Sequence, residues 1–171
     1  MQINGKSFRP QPQAVTIKAS NGEEVILTVT PLPVGYHERD RALFPEPIPP
    51  SQFVVGHGGK VMRGPSGKAI TEENDRDPGY QAAMLRLFRA KAARLIYVAL
   101  RDDATVAWDA APEDDQLTAQ TATEAYAAIA DELESAGFGP AQLLALSRLI
   151  NEVSGNTGSE AVEAAIGTFR A

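Results

Sequence analysis

The sequence predicts an α+β protein, with an N-terminal β-hairpin element followed by a mainly helical body. Three observations carry this. Two β-branched runs flank an Asn-Gly pair near the start. A stretch rich in proline and glycine fills the middle of the chain. Every long apolar segment after residue 80 repeats at helical spacing.

The hairpin element occupies residues 1–44. Val15-Thr16-Ile17-Lys18 alternates, and Glu24-Val25-Ile26-Leu27-Thr28-Val29 either alternates or is buried on both faces. Ser20-Asn21-Gly22 lies between them, and Asn and Gly both tolerate the positive φ of a tight turn. Pro31 and Pro33 end the second strand, since proline cannot donate to a ladder. Tyr36 to Phe44 reads as a short helix stopped before Pro45.

Residues 45–79 read as an arm. Pro45, Pro47, Pro49 and Pro50 favour an extended chain. Glycines follow at 56, 58, 59, 64 and 67. Lys60-Val61-Met62-Arg63 and Lys68-Ala69-Ile70 flank Gly64-Pro65-Ser66-Gly67, a small hairpin with a four-residue turn. A loop this long tends to be functional or flexible.

The helical region spans residues 80–171. Asp77-Pro78 starts its first helix, with Asp as cap and Pro in the first turn. Met84, Leu85, Phe88, Ala92, Leu95, Ile96 and Ala99 form the expected buried stripe. Arg86, Arg89, Lys91, Arg94 and Arg101 fall outside it and predict a basic solvent face. Asp102-Asp103 ends the helix as solvated acids, and Ala104 to Trp108 reads as a strand or turn. An acidic linker is expected over 109–117. Thr118 to Ala136 places Ala122, Tyr126, Ile129 and Leu133 on one face before Gly137. Pro140 opens a helix carrying the apolar Leu143, Leu144, Leu146, Leu149, Ile150 and Val153, ended by Gly155, and Ser159 can cap a last one with Val162, Ile166 and Phe169.

Charge and composition narrow the function. The net charge of −6 argues against bulk nucleic-acid binding. Its distribution is uneven: +2 over residues 1–111 and −8 over residues 112–171. Without cysteine there are no disulfides, thiolate metal sites or cysteine nucleophiles. No apolar signal core and no membrane-length apolar run is present, so a cytoplasmic protein is expected.

The motifs for chemistry fail on spacing. His37 and His57 lack ligand-spaced neighbours, so no metal is expected. Gly56-His57-Gly58-Gly59-Lys60 and Gly64-Pro65-Ser66-Gly67-Lys68 resemble phosphate loops, but Val61 and Ala69 stand where Ser or Thr is needed. Neither leads into a helix. Asp102, Asp103 and Asp109 supply carboxylates without a nucleophile or base to work with. No catalytic residue and no cofactor is expected, and the chain reads as a binding protein rather than an enzyme. Arg86, Arg89, Arg94 and Trp108 are the candidate partner-binding residues, since interfaces favour Arg and Trp.

The order of segments carries a resemblance. A β-hairpin and a proline-rich stretch precede Gly59-Lys60-Val61-Met62-Arg63 and Gly67-Lys68. Asp77-Pro78-Gly79-Tyr80-Gln81-Ala82-Ala83 then opens a helix ending Ala99-Leu100-Arg101-Asp102-Asp103. Over residues 14–155 this resembles tail assembly chaperone-type proteins of long-tailed bacteriophages and prophages. The resemblance implies an adaptor that keeps the hydrophobic tape measure protein soluble, recruits tail tube subunits, and leaves before the tail is complete. The bacterial host cytoplasm would be its site of action. Many such proteins are made in two lengths by frameshifting. A permanent virion protein of the tail or head–tail junction is the second reading, and a small enzyme the third.

Overall fold

The computed structural model describes residues 11–155 and two short strands nearer the N-terminus. Those strands, β1 (Gln2–Ile3) and β2 (Lys6–Ser7), pair antiparallel with Gln2 opposite Ser7. The expected helix around Val162, Ile166 and Phe169 lies outside the described residues.

β3 (Gln13–Lys18) and β4 (Glu24–Val29) form the antiparallel hairpin, with Lys18 opposite Glu24. Its turn is one residue longer than an Asn-Gly pair alone would make. Gly22 donates to the Ala19 carbonyl, and Ala19 donates to that of Glu23. Only Gly22 takes positive φ (86°), the arrangement of a three-residue loop ending in a left-handed residue. Burial alternates along both strands, so β4 is covered on one face only. Ile17, Leu27 and Val29 point inward, while Ile26 points out and is 66% exposed.

Four helices complete the described chain: α1 (Tyr36–Leu43), α2 (Pro78–Leu100), α3 (Ala122–Ser135) and α4 (Pro140–Val153). With β3–β4 ahead of them, the chain is α+β, as the sequence predicts. α2 is the central element, packed on α3, α4 and β4, while α4 also lies against β3. Its start is the predicted one, Asp77 accepting from the Tyr80 N–H at 2.9 Å ahead of Pro78. At its far end the Ala99 carbonyl accepts from the Thr30 N–H, which joins helix to hairpin. Around this junction lie the fully buried Ile96, Leu100, Ile129, Leu146 and Ile150. Burying such a side chain stabilises by about 1.5–3 kcal/mol.

α2 buries only part of the stripe that its hydropathy predicts: Ile96 and Ala99 are fully buried, and Met84 and Leu95 pack against the core. Leu87, Ala90, Ala93, Arg94 and Tyr97 face the core, while Leu85 is 58% exposed and Phe88, Ala92 and Leu95 are half-buried. Two causes are visible. The small Ala90 and Ala93 present little bulk on the face that packs, which suits close helix packing. Arg94 brings acidic partners that make its burial tolerable. No helix among the described residues is long and apolar enough to cross a membrane.

Candidate functional site

The arm is more ordered in its pairing than a loop with one hairpin. β5 (Ser51–Phe53) and β6 (Thr71–Glu73) pair antiparallel as a stem, with Ser51 opposite Glu73. Two leaves grow from it, one closed by a Val55–Val61 bridge and the other by Arg63–Ala69. The second leaf is the hairpin read from the sequence; the first leaf and the stem are additional. The three ladders meet at Val54, Met62 and Ile70. Met62 donates to the Val54 carbonyl at 2.9 Å, Ile70 to that of Met62 at 3.0 Å, and Val54 to that of Ile70 at 3.0 Å. This closed triangle of backbone bonds satisfies three residues that no single ladder could.

An eight-residue repeat underlies the leaves. Val54 to Val61 aligns with Met62 to Ala69, matching Gly56 with Gly64, Gly59 with Gly67 and Lys60 with Lys68. The hydrogen bonds repeat as well: Gly56 donates to Lys60 and Gly59 to Gly56, as Gly64 does to Lys68 and Gly67 to Gly64. Gly59 and Gly67 both sit at positive φ (77° and 75°), which a side chain at either would strain. The glycines that resemble phosphate loops are thus turn residues of two matched leaves.

The arm leaves its apolar side chains uncovered. Nine large hydrophobic residues are exposed among the described residues, and seven of them lie between residues 48 and 85: Ile48, Phe53, Val55, Val61, Met62, Ile70 and Leu85. Strand alternation divides those of the arm between its faces. Phe53, Val55 and Val61 share one face with Arg63, while Val54, Met62 and Ile70 centre the other. Neither face is closed by the body. The stem's ends meet, since the Asn74 N–H donates to the Pro50 carbonyl at 2.8 Å.

The predicted partner-binding residues disperse. Arg86 is exposed on α2. Arg89 pairs with Asp131 and Glu134 of α3, both at 2.8 Å. Burial works against its charge, and these two carboxylates outweigh it and raise its pKa. Such a half-exposed pair is worth little in stability. Arg94 corrects the prediction of a solvent-facing base: its residue is 1% exposed. Trp108 is half-buried and packs edge-on against Tyr97 at 5.3 Å, and its indole N–H has no hydrogen-bond partner.

Arg94 sits in a buried ionic cluster. Its Nε donates to both Asp114 oxygens at 3.1 Å, its Nη2 to Asp114 Oδ2 at 2.6 Å, and its Nη1 to Asp40 Oδ1 at 3.0 Å. The guanidinium lies 4.2 Å from the Tyr36 ring centre. The Tyr126 hydroxyl also donates to Asp114, and Arg39 donates to the backbone carbonyls of Asp114 and Leu117. Burial raises the Asp40 pKa despite Arg94 beside it. Burial raises that of Asp114 too, but hydrogen bonds from Arg94 and Tyr126 outweigh it and hold it below the usual carboxylate range. Tyr36 and Tyr126 are pushed up, first by burial.

These contacts change the reading of segment 109–117. Asp114 anchors it to α1, α2 and α3, so it is a packed part of the body. Asp103 likewise is no solvated helix end. It is 5% exposed and accepts from the Thr28 N–H at 2.5 Å and from the Thr105 N–H and hydroxyl. Burial opposes its charge, and these hydrogen bonds still hold its pKa low. Ala104 and Thr105 form a turn, and Val106 to Trp108 follow without regular structure.

The chemistry available is that of anchoring. The cluster carboxylates accept from Arg94 and Tyr126 within the protein, and no group of three or more potential metal ligands gathers among the described residues. A cavity of about 90 Å³ lies between Leu27, Leu100, Trp108, Leu133, Phe138 and Leu146, and its wall is almost wholly apolar. Asp40, Asp103 and Asp114 were missed from sequence. One signal existed: Arg94 is the sole charge in the apolar run Ala92 to Leu100.

No protein-family model, no curated protein and no solved structure matches this chain.

Proposed function

We propose that this protein is a tail assembly chaperone or adaptor of a long-tailed phage or prophage. It holds the tape measure protein and tail tube subunits while the tail is built. The observation that supports this reading is the arm of one stem and two leaves, whose apolar side chains stay exposed while the helical body buries most of its own. A protein that shields a long apolar partner needs such a surface on a scaffold that is stable without the partner. The order of segments that resembles tail assembly chaperones supplies the partner class.

Co-expression with the neighbouring reading frames, followed by pull-down, tests it. A long helical partner should become soluble only when this chain is present. If no partner's solubility depends on the chain, the chaperone reading fails. Purified particles provide the second arm of the test, because a transient chaperone is lost from them. Retention at fixed stoichiometry would replace it with a permanent tail or head–tail protein.

A further inference from the structure

We propose that the cavity between the hairpin and the helices is a binding site for a small uncharged molecule with an apolar body and one hydrogen-bond acceptor, of the ketone or ester type. The acceptor takes the Trp108 indole N–H. The site goes beyond the chaperone reading, and neither stands or falls with the other. Three observations carry it.

The first is the wall. Leu27 of β4, Leu100 of α2, Leu133 of α3 and Leu146 of α4 close the cavity from inside, each from a different element and each buried. Ala107 and Ala136 also line it and are exposed, so they stand at its mouth. An apolar space of this kind takes apolar guests. Glu132 is the only charged residue of the wall, and its two carboxylate oxygens already accept from the Asp109 and Ala110 N–H groups at 3.0 and 2.7 Å. No counter-ion is left for a charged ligand, whose burial would go uncompensated.

The second is a donor. Trp108 forms part of the same wall. Its indole N–H is buried and meets no acceptor among the described residues, Glu132 included. Buried donors are nearly always paired. Water suits this one poorly, because a bound water needs about two to four polar partners and the apolar wall supplies little beyond the indole. An acceptor carried on an apolar body pairs the donor and fills the space together.

The third is size. The cavity measures about 90 Å³. Sites for cofactors and drug-sized ligands run to roughly 300–1,000 Å³. A cavity of about 150 Å³ holds benzene, so this one suits a body of about four or five carbons.

The test uses the full chain. Trp108 is its single tryptophan, so one indole N–H resonance reports the site. Cyclopentanone and cyclopentane are the probes, five-carbon rings that differ by one carbonyl. Cyclopentanone should move that resonance downfield and saturate at millimolar concentration; cyclopentane should not move it downfield. Ala136→Leu, at the mouth, should remove the cyclopentanone shift while circular dichroism shows the body still folded. Trp108→Phe should weaken cyclopentanone on the order of tenfold and cyclopentane by less than about twofold, followed by saturation transfer to the ligand. The absence of a saturable shift with cyclopentanone overturns the proposal. So does an equal shift from cyclopentane, a shift that survives A136L, or equal losses of both probes in W108F. The titration of the unaltered chain decides the matter even where a variant fails to fold.

Discussion

The body and the arm solve the same problem in opposite ways. In the body, four helices and a one-sided hairpin bury Ile96, Leu100, Ile129, Leu146 and Ile150, and even enclose an arginine. In the arm, order comes from backbone hydrogen bonds and glycine turns, and the apolar side chains remain in water. The difference shows where apolar surface is left uncovered. A region that has already satisfied its apolar surface has little left to offer a partner, and the arm has not done so.

The comparison breaks most easily at the ionic cluster. Arg94→Met should cost about 3 kcal/mol, the low end for breaking a buried pair, because Asp40 and Asp114 are half-buried and would lose their cation. Urea unfolding checks this, and a loss below about 1 kcal/mol would mean that the cluster relaxes into water. Asp103→Ala should cost less, roughly 1–3 kcal/mol, since the Thr28 N–H would be left without its acceptor.

Acid should act through the same groups. Asp103 and Asp114 have pKa values held below those of the unfolded chain. Their stabilisation is therefore complete above the unfolded carboxylate value of about 4 and is lost as pH falls through the folded values. Asp40 runs the other way: its raised pKa lets the folded chain take up that proton first, which offsets part of the loss. Two groups against one predict a net fall in stability on acidification. Denaturation midpoints between pH 6 and 2 should show it, and Asp103→Asn should flatten the curve.

Changes in the arm should barely register on stability. Replacing residues 51–74 with two glycines should leave the helical circular dichroism intact and move the melting temperature by no more than about 4 °C. The stem ends already meet through Pro50 and Asn74, so the closure is short. Wholesale unfolding would show that the arm is part of the core after all. Smallest of all, Val55→Asp should change stability by no more than about 0.5 kcal/mol, as urea unfolding would show.

How much of this was legible in the sequence differs between the two regions. The arm's glycine turns and its second leaf follow from proline and glycine chemistry. The first leaf and the stem do not. They depend on Val54, Met62 and Ile70 closing a triangle, and the pattern behind it is an eight-residue repeat of mostly unlike residues. In the body, the face of α3 was legible because Ala122, Tyr126, Ile129 and Leu133 repeat cleanly and are all buried, whereas of the six apolar residues of α4 only Leu143, Leu146 and Ile150 are buried. The face of α2 was legible only towards its end, where Ile96 and Ala99 are buried. Leu85 and Phe88 weigh heavily in a hydropathy pattern, yet Ala90, Ala93 and Arg94 take the packed side.

What the sequence by itself determined is local: the Gly22 turn, the Asp77 cap before Pro78, the helix stops at glycine, and the exposure of a long polar arm. Each rests on backbone preferences of residues that are neighbours in the chain. Only the tertiary structure decided which charges are buried. Thr28 and Asp103 are 75 residues apart, and Arg94 and Asp40 are 54 apart. A charge alone reads as solvated; it becomes a buried anchor only when folding brings a partner whose hydrogen bonds outweigh its lost hydration. Of the charges that seemed to mark a binding helix, Arg94 is an anchor inside the body, and most of the uncovered large apolar side chains lie on the arm.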